Sequence, residues 1–386
     1  MKQFSIICIL MQILIVSCQE GVVNREQKKH TNRCKLIFHG IKEFPLDEES
    51  THLTNYVQLI DNDTGFNFSF VNSYNNSIYF YDYDSSSFIK KITYEKEGPD
   101  GVMNVQGFLY LNEDSIFIYS YNLQTLFLTD AKSKVSDKFK LYETPDNWDV
   151  ILPSPYVQTM TPILKHNHNL FLFGFVSGET DIETTDNRPV CVKLNITTKI
   201  QEHFINYPYQ YVQYNWAGGF TYRLPYVGMN KNSILVGFSA DHDIHSYSFS
   251  DELHTPFYAG SALIKTIKPF SESKKLPVDE DQAWAWYMEN PSYEGILYDK
   301  YKNLYYRVAR LPKKDFNPDE KGNHKPIIII VLNENMEYLG EVKLPENINF
   351  RTACCFISKD GFNIQVITDD EDKMTFYQYN FLDNEK

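Results

Sequence analysis

Residues Ser77–Glu95 read SIYFYDYDSSSFIKKITYE, and the fold follows from what this stretch is and how often it returns. Ile78 and Phe80 alternate with Tyr79 and Tyr81, DYDSSS supplies a polar turn, and Phe88 to Tyr94 runs back, which is the pattern of two strands and a hairpin. TLFLTDAKSKVSDKFKLYE, Thr125 to Glu143, repeats it without a gap at a shift of 48, with Asp130 in the place of Asp82 and Tyr142 in the place of Tyr94. VCVKLNITTKIQEHFINYP sets Asn195 twelve residues before Tyr207, the same interval that separates Asp82 from Tyr94. IIIIVLNENMEYLGEVKLP carries Asn333 at that point. An outer hairpin returning at long, irregular spacing in an all-strand chain predicts an all-β repeat architecture, a β-propeller.

Working outward, the strand runs group into six blades. The first takes Tyr56–Leu59, Phe66–Asn72 and the quoted hairpin, and the second takes Val105–Leu111, Ser115–Tyr121 and its hairpin. The third is Thr161–Leu164, Asn169–Val176 and the Cys191–Tyr207 hairpin; the fourth is Phe220–Val227, Ser233–Ser239, His245–Phe249 and Ser261–Pro269. The fifth is Tyr293–Asp299, Asn303–Arg310 and Pro326–Pro345. Only three strands remain for the last, namely Arg351–Ile357, Phe362–Thr368 and Lys373–Phe381. KLIFHGIKEFPL, Lys35 to Leu46, has nothing before it to pair with, so it is expected to supply the missing fourth strand and close the ring. Residues 34–386 form the propeller domain, at 353 residues over six blades or about 59 each, more than the ~40–45 of compact repeats, with the excess in long connections.

The chain's 386 residues are 42% hydrophobic and 15% aromatic, with 28 Tyr and 27 Phe, a composition suited to pleated, half-buried surfaces. A net charge of −13 argues against a nucleic-acid partner, because phosphate binding needs a basic surface. MKQFSIICILMQILIVSC begins with a lysine and an apolar run, Phe4 to Val16, too short to span a bilayer comfortably, so residues 1–17 read as a signal peptide. Its end, Ile15-Val16-Ser17-Cys18, is similar to the bacterial lipobox, which makes Cys18 the expected lipidation site. Residues 18–33 then form a polar tether with a root-mean-square span of roughly 20 Å, about 5–6 Å × √n. The expected address is the cell envelope, as an outer-membrane lipoprotein facing the periplasm or the cell surface, with the membrane reached through the lipid alone.

In combination, the lipobox, the tether, the EGPDG turn at Glu97–Gly101 and SYEGILYDKYKNLYYRV at Ser292–Val308 resemble the TolB-like six-bladed propeller lipoproteins of Bacteroidetes, a family without an assigned function. The resemblance covers nearly the whole mature chain, and its most specific piece is GILYDKYKNLYYR, Gly295–Arg307. It implies a fold and an address but no catalytic residues.

Antiparallel strands labelled a to d within a blade place the b–c and d–a connections on one face and the a–b and c–d turns on the other. The first face collects the long loops, Glu143–Pro162, Pro208–Gly219, Phe270–Ser292, Ser177–Pro189 and Ala309–Lys325, and with them all four tryptophans. Trp148, Trp216, Trp284, Trp286 and Tyr287 are therefore the candidate ligand-binding residues; Trp284 and Trp286, two apart in a loop, are expected to point the same way. Asp279, Glu280, Asp281 and Glu289 lie beside them, so a glycan platform with carboxylates is one reading and self-packing of the loop is the other. His242 and His245 with Asp241 and Asp243, and His166 with His168, match no metal-ligand spacing on a defined element and read as polar turns, so no metal or other cofactor is expected. Cys34, Cys191, Cys354 and Cys355 fall in or beside strands with no CxxC, which favours buried thiols, although pairing is not legible from sequence. The expected function is a non-enzymatic envelope propeller that binds a glycan or a protein through its long-loop face. The alternative is a carbohydrate-active hydrolase or lyase, which needs acids inside the central funnel.

Overall fold

The computed structural model describes residues 32–62, 65–141, 153–175, 188–217, 224–272, 279–318 and 324–383, and Asn32–Lys386 form one compact unit. Its strands form six antiparallel sheets arranged as a six-bladed β-propeller. Cys18, the tether to Thr31 and Trp148 lie outside the described residues.

Blade I comprises β2 (Val57–Asn62), β3 (Gly65–Asn72), β4 (Ser77–Asp82) and β5 (Phe88–Thr93), paired in that order. Blade II comprises β6 (Gly107–Asn112), β7 (Ser115–Ser120), β8 (Thr125–Thr129) and β9 (Val135–Lys140). In blade III, β11 (Leu164–His166) and the short β10 (Ser154–Pro155) both pair with β12 (Asn169–Phe175), followed by β13 (Pro189–Asn195) and β14 (Gln201–Asn206). Blade IV is β15 (Tyr226–Met229), β16 (Ser233–Gly237), β17 (Asp243–Ser248) and β18 (His254–Tyr258). Blade V is β19 (Ser292–Asp299), β20 (Leu304–Arg310), β21 (Ile327–Leu332) and β22 (Tyr338–Lys343). Blade VI orders β23 (Phe350–Ser358), β24 (Gly361–Val366), β25 (Lys373–Asp383) and β1 (Cys34–Pro45).

The repeated Asp or Asn of the sequence has a local cause. Asp82 Oδ1 accepts from the Ser85 amide at 2.7 Å, and Asp130 Oδ1 accepts from those of Lys132 and Lys134 at 2.9 Å. Asn195 Oδ1 takes the Thr197 and Thr198 amides at 3.0 and 2.9 Å, and Asn333 Oδ1 those of Asn335 and Glu337 at 2.9 Å. Each residue thus caps the outer hairpin of its blade with its own side chain, which short Asx side chains do best. The third strand of a blade is covered on both faces by neighbouring blades, so Ile327–Leu332 is buried at every position, whereas Phe88–Thr93 at the rim is mostly exposed. First strands converge at the centre, where β15 touches β19, β19 touches β23 and β23 touches β2.

Closure is as expected. β1 pairs antiparallel with β25 from Cys34 opposite Asp383 to Pro45 opposite Lys373. Phe44 is fully buried and stacks on Phe68 of blade I at 4.0 Å, so the closing strand also joins blade VI to blade I.

Two expectations need correction. The outer strand of blade IV is His254–Tyr258 rather than Ser261–Pro269. Pro256 disguised it, yet proline is tolerated on an edge strand because no inward amide is needed there. The Phe270–Ser292 connection holds a helix, α2 (Glu280–Glu289), and a shorter α1 (Tyr209–Gln213) follows Pro208. Asp279 caps α2 by accepting from the Gln282 amide at 2.9 Å; Asp-x-x-Gln before the two tryptophans was the available signal. Cys191, Cys354 and Cys355 are buried free thiols.

Candidate functional site

A helix turns about 100° per residue, so Trp284 and Trp286 on α2 diverge instead of sharing a direction. Trp286 turns inward, donating Nε1–H to the Lys268 carbonyl at 3.2 Å and packing against Phe270 and Trp216 with ring centroids 5.9 and 6.3 Å away. Trp216 is buried, donates Nε1–H to the Gln210 carbonyl at 3.0 Å and packs on Tyr211. Trp284 stays 50% exposed beside Tyr287, one helical turn on. The three described tryptophans therefore do different things: two build the inter-loop core of the long-loop face and one is presented at its surface.

Tyr287 leads to the centre of the ring. Its hydroxyl donates to Glu294 Oε1 at 3.1 Å. Arg310 Nε and Thr352 Oγ1 both donate to Glu294 Oε2 at 2.7 Å, and Arg310 Nη2 donates to Thr352 Oγ1, also at 2.7 Å. Burial on its own would raise the Glu294 carboxyl, but the Arg310 guanidinium and the bonds from Arg310 and Thr352 hold it below the ordinary range, so it remains a carboxylate. Lys325 completes the cluster from below. Its ammonium lies 4.0 Å over the Tyr287 ring and donates to the Tyr287 carbonyl at 2.9 Å, to Ser292 Oγ at 3.2 Å and to the Asn290 carbonyl. Burial pulls its pKa down to about 7, against the attraction of Glu294.

Glu294 and Thr352 line a cavity of about 290 Å³ with Tyr156, Gln158, Leu224 and Ser239, among others. Glu294, Thr352 and Leu224 sit at or just before the starts of first strands, Ser239 just past the end of a second strand, and Tyr156 and Gln158 in the connection from β10 to β11, which together mark the long-loop end of the central channel. Backbone irregularity puts them there. The register of β19 against β20 slips between Tyr293 and Gly295, and that of β23 against β24 slips between Arg351 and Cys355. Glu294, and Thr352 with Ala353, are the residues at those slips, and a bulge re-aims a side chain that a regular strand would point elsewhere. Among the described residues lining this cavity, Glu294 is the single carboxylate.

Sequence reading missed Glu294, Arg310, Lys325 and Thr352. One faint signal existed, an acid followed by Gly295 inside an apolar strand, because glycine in a strand pattern marks bulges. Arg307, the last residue of the most specific motif, proves to be a buried staple behind the cavity. It stacks on Tyr293 at 3.6 Å, donates from Nη1 to the carbonyls of His242 and Ala259, and from Nη2 to the Asp241 carbonyl and the Tyr226 hydroxyl. His242 is held beside it, Nδ1 lying 2.8 Å from the Tyr293 hydroxyl; burial and then the Arg307 charge depress its pKa to about 4, so the ring is neutral. His245 lies between Asp241, Nε2 to Oδ2 2.8 Å, and His254, Nδ1 to Nε2 2.9 Å.

The family profile described as "Domain of unknown function (DUF4221)" matches residues 33–343. The chain is similar to the crystal structure of a member of that family from Bacteroides vulgatus ATCC 8482, at 22% identity and a TM-score of 0.77, over 91% of this chain and 99% of the other. It is also similar to a putative exported protein from Bacteroides fragilis NCTC 9343, at 10% identity and a TM-score of 0.55, over 91% of this chain and 96% of the other. Both likenesses are likenesses of fold. No functionally curated protein matches the sequence.

Proposed function

We propose a binding role for this chain, which belongs to the DUF4221 family: a cell-envelope propeller that takes a small polar ligand at the long-loop mouth of its central channel. The observation that carries this is the pair of backbone bulges that turn Glu294 and Thr352 into one cavity of about 290 Å³ at that mouth. Such convergence of a few polar groups in a concave site is how ligand orientation is fixed. Chemistry at the mouth argues for binding rather than hydrolysis. A general acid must carry a proton at working pH, and Glu294 is kept ionised by Arg310 and Thr352. Because Arg310 also neutralises it, the matching ligand is an uncharged, hydroxyl- or amide-bearing molecule such as a sugar, and the half-exposed Trp284 packs on Tyr287, whose hydroxyl reaches Glu294.

In thermal melts against a panel of mono- and oligosaccharides, at least one is expected to stabilise the wild-type protein, by ~2.7 kcal/mol at a hundredfold excess over Kd. Ala353→Phe, which fills the mouth, should abolish that shift without lowering the melting temperature of the free protein by more than a few degrees. A shift that survives in Ala353→Phe places the ligand elsewhere and ends this reading.

The envelope address rests on the lipobox-like Ile15–Cys18, and a fold neighbour of this chain is described as a putative exported protein. Among the described residues no helix is long and apolar enough to cross a membrane. Cys34 opens β1 at the short-turn end of the ring, opposite the end of β25, so a lipid on Cys18 would hold the short-turn face towards the bilayer and the mouth away from it. Labelling with radioactive palmitate is expected in the wild type and absent in Cys18→Ala; equal labelling of the two refutes the anchor.

A further inference from the structure

We infer a separate anion site on the long-loop face between blades V and VI, built for a small tetrahedral oxyanion of the sulfate or phosphate class. Its cavity measures about 70 Å³ and shares no lining residue with the mouth of the channel. A single water takes up ~10–15 Å³ on this scale, so there is room for a five-atom ion but not for a sugar ring. The walls come from the end of β20, the connection from β20 to β21, the start of β21 and the connection from β22 to β23.

Charge sets this cavity apart. The chain carries a net charge of −13, yet the ionisable groups here are Arg310, Lys313, His324 and Lys325 against one acid, Glu346, among the described residues of the lining. Glu346 is itself ion-paired with Lys343, which lies outside the lining. Lysine is almost never fully buried unless paired. Lys325 is buried, but its ammonium donates to the Tyr287 and Asn290 carbonyls and to Ser292 Oγ, with no carboxylate among these partners. The acid that attracts it, Glu294, is already bonded by Arg310 Nε at 2.7 Å. Two buried cations therefore share one carboxylate, and the positive charge left over borders an open cavity. An anion there would counter both the burial and the Arg310 charge that depress the Lys325 pKa.

Donors for the ion are at hand. Arg310 uses Nε and Nη2 on Glu294 and Thr352, and its Nη1 has no hydrogen-bond partner among the described residues. The Lys313 main chain is fixed by its amide, which donates to the Met288 carbonyl of α2 at 2.8 Å, while its ammonium has no hydrogen-bond partner among the described residues. His324 stands exposed at the rim. A guanidinium edge and an ammonium meeting at one small cavity make charge-assisted bonds to an oxyanion.

Sulfate is the probe, because it takes no proton near neutral pH, and chloride at matched ionic strength controls for general screening. In calorimetric titrations of the full chain, sulfate should bind saturably at one site per chain and chloride should not. Lys313→Glu reverses one charge at a partly exposed position, so it should fold normally and weaken sulfate roughly tenfold or more, whereas Glu346→Gln should strengthen it. Ala353→Phe, which fills the channel mouth, should leave sulfate binding unchanged. Absence of saturable sulfate binding, equal binding of chloride, an undiminished affinity in Lys313→Glu, or loss of binding in Ala353→Phe would each overturn the assignment, and none of them bears on the reading of the mouth.

Discussion

Arg307→Met should lower the stability of the propeller by roughly 4 kcal/mol or prevent its folding, the largest effect expected of any single substitution here. The guanidinium is fully buried and touches no carboxylate; four main-chain carbonyls, one phenol and the face of Tyr293 replace the water it lost. Methionine fills much of the volume but offers no donor, so the carbonyls of Asp241 and Ala259 lose the donor that Arg307 supplies, at about 1–3 kcal/mol each, while the His242 carbonyl keeps the Ala259 amide at 3.0 Å. Lysine is the informative control. Its single ammonium cannot span acceptors that a planar fork reaches on both sides, so Arg307→Lys should recover only part of the loss. Urea midpoints measured at constant slope decide the matter. A change equivalent to less than about 1 kcal/mol for Arg307→Met would mean that Arg307 does not hold blades IV and V together.

Removal of residues 19–46 should be nearly as damaging, whereas removal of 19–31 should leave the melting temperature almost unchanged. The longer deletion strips β1 from β25 along its whole length, exposes the open edge of blade VI and withdraws Phe44 from its stack on Phe68. Burial of one such phenylalanine alone is worth about 1.5–3 kcal/mol. The shorter deletion stops before Asn32 and Arg33, which bond to the carbonyls of Glu341 and Leu339 on the outer strand of blade V. Calorimetry should show a single cooperative transition for the shorter variant and a broadened, much earlier one for the longer. If both melt alike, the N-terminal strand does not close the ring.

What could be read without coordinates was whatever repeats or is contiguous in the chain. Asp82, Asp130, Asn195 and Asn333 each cap a turn within a few residues of themselves, so a local rule wrote the same residue type four times and the blades became countable. The lone strand at Lys35–Leu46 and the three-stranded end of the chain fixed closure by elimination, because a strand without a partner must find one. The site was of another kind. Glu294, Arg310, Lys325 and Thr352 come from strands and connections up to 58 residues apart, and they meet because two bulges break strand alternation, which the pattern of apolar residues does not record. Trp284 and Trp286 show the same limit on a smaller scale. The sequence placed both on the long-loop face by strand parity, but whether they share a direction depended on strand or helix geometry, and the cap at Asp279 decided for the helix. Local chemistry thus determined the number of blades, their order and the closure of the ring. Only the packing of one blade against the next decided which side chains face the channel, since that depends on register slips of one residue in β19 and three in β23.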